Sequence, residues 1–201
     1  RLHTGDPDGA LDDMRRNIDA WWPLIASGEV EAIVMNASGC GVTVKDYGHA
    51  LRHDPAYADK ARRVGELTRD VSELLPELLP ALRDQVAGLR GRRLALHPPC
   101  TLQHGQQLRG GIEAGLRELG CEVQLAGNEA HLCCGSAGTY SVLQPELAGQ
   151  LRDRKLSHLL PLRPEAIVSA NIGCIQHLQS GTDVPVRHWI EVVDEALAAK
   201  A

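Results

Sequence analysis

The ten residues "EAIVSANIGC" at 165–174 align without a gap with "EAIVMNASGC" at 31–40. The four opening letters and the closing glycine–cysteine pair are identical, and each copy follows an amphipathic helical stretch. Each copy is typical of a short apolar strand that enters a glycine turn and ends at a cysteine. The matched spacing at a fixed offset indicates an internal duplication.

The rest of the chain alternates the same two kinds of segment. Further strands are predicted for "RRLALHPPC", "CEVQLAG" and "PVRHW". Helices are predicted for "GALDDMRRNIDAWWPLIAS", a long region from about 55 to 89, "GQQLRGGIEAGLRELG", a stretch near 141–160 with Pro145 in its first turn, and "IEVVDEALAAK". Strands that alternate with helices in this way predict an α/β fold with short parallel sheets flanked by helices.

The duplication also predicts the domain organisation. We expect residues 1–85 to form the C-terminal half of a first cysteine-rich repeat and residues 86–201 to form a complete second repeat. Shifted back by the same offset of 134 (174 − 40), "CCG" at 133–135 falls at positions −1 to 1, so that, with small insertions, its counterpart is expected just upstream of Arg1. The first repeat is therefore expected to be truncated at its N-terminus. The absence of an initiator methionine or a signal peptide suggests a piece of a longer protein.

Four cysteines are predicted to meet at one edge of the second sheet. Cys100 and Cys174 each follow a predicted strand, and the adjacent pair Cys133–Cys134 lies in the loop before the helix near 141–160. The carboxyl ends of parallel strands share one rim, where ligands bind in open α/β sheets. We therefore expect four thiolates from three segments to converge there.

Adjacent cysteines favour one kind of metal site over another. Soft thiolate ligands select zinc, cuprous copper or iron–sulfur clusters. Zinc sites commonly use paired ligands two to four residues apart, so the pair Cys133–Cys134 suits a multinuclear cluster better than a single zinc. The small residues that follow allow backbone N–H groups to approach the sulfurs, and Gly135 can adopt a positive φ. The pattern favours an iron–sulfur cluster, with zinc as the alternative.

The other cysteines and histidines have weaker assignments. Cys40 matches Cys174 in the first copy, whereas Cys121 opens a strand without a counterpart and is expected to be a buried small hydrophobic residue. His177 forms a C-x-x-H pair with Cys174 and is a candidate metal ligand. Three further histidines flank the cysteines and are candidate hydrogen-bond partners of the sulfurs: His97, His104 and His131.

Composition excludes several classes of function. The 201 residues carry a net charge of −5 with both signs interspersed, which argues against nucleic-acid binding. No apolar run approaches the roughly 18 residues of a transmembrane segment. Neither a Walker loop, a dinucleotide fingerprint nor a Ser–His–Asp signature is present, so no catalytic residue is predicted. Six cysteines without a secretory signature predict a reducing, cytoplasmic setting.

Five stretches together carry a resemblance to a known family: "ASGCGVTVKDYG", "LQHGQ", "LCCGSAGTY", "LQPELAGQLRDRK" and "NIGC". They resemble the cysteine-rich CCG domains of the glycolate oxidase iron–sulfur subunit family. The resemblance covers essentially the whole chain and extends to the heterodisulfide reductases and the lactate-utilisation iron–sulfur proteins.

The resemblance implies an iron–sulfur cluster of the four-iron type in each repeat. By position, Cys100, Cys133, Cys134 and Cys174 match the cluster ligands of the second repeat, and Cys40 matches the closing cysteine of the first. In the heterodisulfide reductase relatives the closing segment is C-x-x-C and the cluster is non-cubane. Here both closing segments lack the second cysteine ("CGVT" at 40–43 and "CIQH" at 174–177), so His177 is the candidate substitute.

The family resemblance further implies an electron-transfer subunit of an oxidoreductase complex. In such a complex a flavin subunit with FAD oxidises glycolate to glyoxylate, and this subunit passes the electrons towards a quinone-type acceptor. No substrate site is then expected in this chain. The implied location is the cytoplasm, either free or peripheral at the inner face of the cell membrane.

Three other interpretations remain open from the residues. A lactate-utilisation or heterodisulfide-reductase-like electron carrier would use the same cysteines. A zinc-stabilised interaction domain would use Cys100, the adjacent pair and Cys174, with His177 as a further ligand. A thiol–disulfide enzyme would use the Cys133–Cys134 pair alone.

Overall fold

The computed structural model describes residues 1–199, except for the side chains of residues 3 and 87. The chain divides into two compact units, residues 1–71 and 72–201. This boundary precedes residue 85, where the sequence pattern ends the first repeat. The repeat boundary therefore stays a prediction, and the two units are described separately.

The first unit contains four helices and two strands in the part that the structure describes. Helix α1 begins after Asp6, whose carboxylate accepts the Gly9 N–H at 2.9 Å, and ends at Gly28, which has a φ of 80°. The elements are, in chain order, α1 (Pro7–Ser27), β1 (Ile33–Met35), α2 (Ser38–Lys45), α3 (Tyr47–Ala50), α4 (Ala58–Leu67) and β2 (Thr68–Asp70).

Helix α5 (Val71–Leu82) follows β2 directly at the boundary between the units. The second unit then has the elements β3 (Arg93–Leu96), α6 (Gly111–Glu118), β4 (Glu122–Leu125), α7 (Tyr140–Leu143), α8 (Pro145–Leu159), β5 (Ala166–Ser169), α9 (Ile172–Gln179), β6 (Val186–His188) and α10 (Trp189–Ala198). Pro145 is at the first position of α8, as the sequence predicts, because a missing N–H costs nothing there.

Both sheets are parallel, and this confirms the predicted fold class. In the first unit β1 pairs with β2. In the second unit the strand order is β4-β3-β5-β6, and all three pairings are parallel. Strands β3 and β5, which were predicted from their apolar runs, are the two central strands of this sheet. Their inward residues are almost fully buried.

The two repeated stretches fold alike. Helices α2 and α9 begin and end at equivalent residues, and strands β1 and β5 precede them. The strand pairing has the same register, since Ile33 lies opposite Thr68 and its counterpart Ile167 lies opposite Val186. A helix starts immediately after the second strand in both cases.

Strand β2 was not predicted from the sequence. It lies inside the region from about 55 to 89 that was expected to be helical, and it separates α4 from α5. Residues 68–71, "TRDV", take the structural place that "VRHW" at 186–189 takes in the second unit, but at an offset of 118 (186 − 68) rather than 134 (165 − 31), so a gap-free extension of the duplication does not reach this strand. Three residues between two helices leave no periodic pattern of their own.

Each unit has its own apolar core. In the first unit the core includes Ile18, Ala61 and Val64, which are fully buried. In the second unit two cysteines, Cys134 and Cys174, belong to the buried cluster that also contains Leu159 and Ile167. None of the helices in the described part of the chain has the length and apolar character needed to cross a bilayer.

Candidate metal centre

Three loops at the carboxyl edge of the second sheet carry the cysteines. Cys100 follows β3, the pair Cys133–Cys134 lies in the long connection after β4, and Cys174 lies in the first turn of α9 after β5. These three strands are neighbours in the sheet. The parallel pairing thus brings together segments that are far apart in sequence.

The segment before Cys100 is held by the neighbouring strand. The backbone N–H of His97 donates to the carbonyl of Val168 at 2.9 Å, and the Ser169 hydroxyl donates to the His97 carbonyl at 2.9 Å. A single π-helical turn, Thr101–Gly105, begins directly after Cys100. Such turns are rare and often mark functional sites.

The loop of the cysteine pair depends on Gly135. This residue has a φ of 94°, which favours glycine. A Cβ atom there would lie 2.4 Å from the carbonyl oxygen of Ala148 in α8. The Gly135 N–H donates to the Cys133 sulfur at 3.3 Å, and the Ser136 N–H bonds to the Cys134 sulfur. The backbone donors predicted for this loop are therefore present.

The four cysteine side chains lie close enough to interact. The side chain of Cys133 interacts with those of Cys100 and Cys134, and Cys134 interacts with Cys174. The neighbouring thiol of Cys100 is the main cause that lowers the pKa of Cys133, and the thiol of Cys134 lowers that of Cys174. The same neighbours, with burial, raise the pKa of Cys100 and Cys134. The four thiols thus act on one another's ionisation.

His97 adds an imidazole to this set. It is buried, and neither ring nitrogen has a hydrogen-bond partner within ordinary distance among the described residues. One ring nitrogen and the sulfurs of Cys134 and Cys174 lie within 4.8 Å of one another. The imidazole contributes to the lowered pKa of Cys174.

A buried polar atom without a partner is costly unless a ligand satisfies it. The donor set around it contains four thiols and one imidazole, which are the ligand types of zinc and iron–sulfur sites. The residues present therefore fit a metal or a cluster at this place.

The other histidines contribute less to the site. The Nε2 atom of His177 lies 3.1 Å from the carbonyl oxygen of Ala148 and near Gly135, so this nitrogen is already engaged by the backbone. His104 and His131 are exposed. Among the histidines near the cysteines, the structure thus brings His97 closest to the sulfurs.

Lys155 is a charged neighbour of the site that the sequence analysis missed. Its side chain is 1% exposed, and its Nζ donates to the carbonyls of Glu129 at 2.7 Å and Ala130 at 3.3 Å. Burial lowers the pKa of Lys155, whereas the nearby sulfurs of Cys100, Cys134 and Cys133 act in the opposite direction. The available signal was its spacing, because Lys155 shares the core-facing row of α8 with Ala148 and Leu159.

The two remaining cysteines lie apart from this set. Cys121 is buried at the start of β4, and burial raises its pKa to about 11, as expected for a small hydrophobic residue. Cys40 lies in α2 of the first unit, where its side chain is exposed.

The four cysteines lie in a region that matches a known family. Residues 94–179 match the family described as CCG, the cysteine-rich domain, and these residues include the four clustered cysteines. The chain is 50% identical over 195 residues to the glycolate oxidase iron–sulfur subunit of Escherichia coli, which covers 97% of this chain and 47% of that protein.

Two further relatives are more distant. A probable glycolate oxidase iron–sulfur subunit of Bacillus subtilis is 28% identical over 90% of this chain and 40% of its own length. Lactate utilization protein A of Geobacillus thermodenitrificans is 29% identical over 84% of this chain and 72% of its own length. The chain therefore spans about half the length of the glycolate oxidase subunits it matches. Residues 94–179 match the cysteine-rich CCG domain family, and the chain is similar over 97% of its length to a glycolate oxidase iron–sulfur subunit.

Proposed function

We propose that this chain is an iron–sulfur electron carrier of a glycolate-oxidising complex. The observation that carries the proposal is the meeting of four cysteine sulfurs, from three loops, at the carboxyl edge of the second sheet. The 50% identity to a glycolate oxidase iron–sulfur subunit supports glycolate as the substrate of the whole complex, and the weaker 29% identity makes lactate utilisation the alternative.

Cys100, Cys133, Cys134 and Cys174 are the proposed cluster ligands. A four-iron cluster bound there would supply reversible one-electron storage. The protein contributes backbone N–H donors from Gly135 and Ser136, which stabilise negative charge on sulfur. The first turn of α9 contributes its positive end near Cys174. His97 is placed to bond to a sulfur or to complete the ligand set, a role for which His177 is the second candidate.

The partners follow from this role and are part of the proposal. Electrons would come from a flavin subunit with FAD that oxidises glycolate to glyoxylate, and they would leave towards a quinone-type acceptor. The complex would work in the cytoplasm or at the inner face of the membrane. Cys40 would serve the cluster of the first repeat.

The direct test is the metal content of protein purified without oxygen. We expect iron and acid-labile sulfide in the wild-type protein, with an electron paramagnetic resonance signal on reduction. Cys134→Ser should lose both, with an unchanged circular dichroism spectrum. Cys121→Ser is the matched control, because it alters an equally buried thiol outside the set and should keep both. Full iron and sulfide in Cys134→Ser would show that the ligand assignment is wrong.

A zinc-stabilised domain is the second candidate, and the position of His97 favours it. One imidazole nitrogen and two thiols within 4.8 Å form a compact set of the kind that zinc uses. The metal bound in the absence of oxygen separates the two candidates, because a zinc site holds zinc alone whereas a cluster holds iron and acid-labile sulfide. Zinc without iron or sulfide in anaerobic wild-type protein would decide for the second candidate.

A further inference from the structure

We propose that Lys155 is a positioning residue of the cysteine site, which ties the turn before the cysteine pair to α8 and sets one positive charge beside the sulfurs. The inference rests on the proposed iron–sulfur function. Lys155 is the only buried lysine or arginine in the part of the chain that the structure describes. A buried ammonium is costly unless its surroundings compensate for its charge.

The hydrogen bonds of Lys155 anchor the turn that leads into the cysteine pair. Its Nζ donates to the carbonyls of Glu129 and Ala130, which lie just before Cys133 in the chain. The Glu129 carbonyl also accepts the Leu132 N–H at 2.9 Å, so one oxygen closes the turn and receives the lysine. Glu129 has a φ of 53°, a conformation that non-glycine residues adopt rarely. An anchor from α8 explains how this turn is held.

The charge of Lys155 acts on the cysteine site, because the ammonium opposes the raised pKa of Cys100. The Glu129 carboxylate, which is the nearest candidate for an ion pair, is engaged by Arg154 and His158. Lys155 instead donates a hydrogen bond to the backbone carbonyl of Glu129. Cys100, Cys134 and Cys133 are the other groups whose negative form interacts favourably with the ammonium. In a buried place with low effective dielectric, such a charge offsets part of the repulsion among several thiolates.

Arg154 provides a matched control on the same helix. It is exposed and binds the Glu129 carboxylate, so it touches the same turn from the solvent side. Removing Arg154 alters one ion pair of that turn but leaves the bonds from Lys155 to the backbone. A general weakening of the turn would therefore affect both variants, whereas the proposed role belongs to Lys155 alone.

The experiment compares wild-type protein, Lys155→Met, Lys155→Arg and Arg154→Met, all purified without oxygen. Three quantities are measured: iron and sulfide per chain, the rate at which a chelator removes the iron, and the midpoint potential by redox titration. For Lys155→Met we expect iron loss to be faster by about tenfold or more, as when the outer partners of metal ligands are removed. The potential should move to more negative values, because a reduced cluster loses a compensating cation.

The remaining variants decide between charge and packing. Lys155→Arg should retain iron and keep a potential near that of the wild type, and Arg154→Met should match the wild type in all three measurements. Iron and potential unchanged in Lys155→Met, or equally altered in Arg154→Met, would overturn the inference.

If Lys155→Met does not fold, Lys155→Gln takes its place, since it keeps an N–H donor without the charge. An unchanged potential in Lys155→Gln would also overturn it. Wild-type protein without iron would overturn the proposed function and this inference together. Wild-type protein with iron, combined with an unaffected Lys155→Met, would overturn this inference alone.

Discussion

Cys40 and Cys174 occupy the same position in two stretches that fold alike, yet their surroundings are opposite. Each lies three residues into an eight-residue helix that follows a parallel strand, and the strand pairing has the same register in both units. Cys174 is 7% exposed, and its sulfur lies within 4.8 Å of the sulfur of Cys134. Cys40 is exposed to solvent. The same local sequence therefore gives a cysteine that faces other sulfurs in one unit and water in the other.

The difference shows what the repeated stretch supplies and what it does not. In the second unit, strands β3 and β4 lie beyond β5 and deliver Cys100 and the pair Cys133–Cys134 to the same edge. In the described part of the first unit the sheet consists of β1 and β2 alone. The strand, turn and helix thus place one cysteine correctly, but the site needs the loops of the two further strands.

The largest expected effect is a difference between two equivalent substitutions. Cys174→Ala should lose most of the iron of anaerobically purified protein, because it removes one of the four clustered sulfurs. Loss of an outer partner of a metal ligand lowers metal affinity by roughly 10–100-fold, and loss of a proposed ligand itself should lower it further. Cys40→Ala should keep the iron of the second repeat. Iron and sulfide per chain measure both. Equal losses in the two variants would break the comparison, because Cys40 would then share in the same site.

The next effect concerns the loop that the repeated stretch does not supply. Gly135→Ala should destabilise the second unit by about 1–3 kcal/mol, the usual cost of a strained backbone, because its Cβ would meet the Ala148 carbonyl at 2.4 Å. Hydrogen exchange of peptides from β3 and β5 would measure the loss.

Gly149→Ala in α8 is the matched control. An added Cβ meets no atom within 4 Å there, and alanine is favoured by about 0.5–1 kcal/mol over glycine inside a helix. Exchange rates in Gly135→Ala that equal those in Gly149→Ala would show that the loop does not depend on this glycine.

Much of the fold was predictable, because apolar runs and helical spacing carry it. Five of the six strands were predicted, and the α/β class followed from their alternation with helices. Strand β2 was missed, since three residues between two helices leave no periodic pattern of their own. It could be found only by extending the duplication beyond residue 40 with a gap, because the offset between the copies changes from 134 to 118 (186 − 68).

The meeting of the cysteines was predictable because one residue type carries it, whereas their role as ligands stays a prediction. Cysteines at the ends of parallel strands indicated which sulfurs meet, and the pattern also suggested that Cys121 is a packing residue. Lys155 was not predictable in that way, because a lysine on a helix is normally solvated. Its role depends on which carbonyls it reaches, and such contacts between 129–130 and α8 exist only in the folded chain.

A third, smaller effect is the reactivity of the thiols in metal-free protein. Iodoacetamide should label Cys40 before Cys174, with a rate difference of about tenfold or more, because labelling of a buried thiol requires local opening. The lowered pKa of Cys174 acts against burial by keeping the sulfur as a thiolate. A time course read by mass spectrometry compares the two sites in one sample. Labelling of Cys174 as fast as Cys40 would mean that its surroundings open freely without metal.

The smallest effect is the pH dependence of folding stability, to which one carboxylate in each unit contributes. Hydrogen bonds from Arg15 and from Arg154 lower the pKa of Asp54 and of Glu129 respectively. A carboxylate with a lowered pKa stabilises the folded state above its unfolded pKa of about 4, and this contribution is lost as the pH falls through the folded value. Asp54→Asn and Glu129→Gln should each flatten the acid side of the stability profile, as measured by urea midpoints between about pH 3 and pH 7.

Glu129→Gln also separates the side chain of this turn from its backbone. The substitution removes the carboxylate that Arg154 and His158 bind but keeps the carbonyl that accepts from Lys155. Iron content at pH 7 should therefore stay at the wild-type level in Glu129→Gln, as in Asp54→Asn. A loss of iron as large as that in Lys155→Met would mean that the carboxylate, rather than the lysine bonds to the backbone, holds the cysteine pair in place.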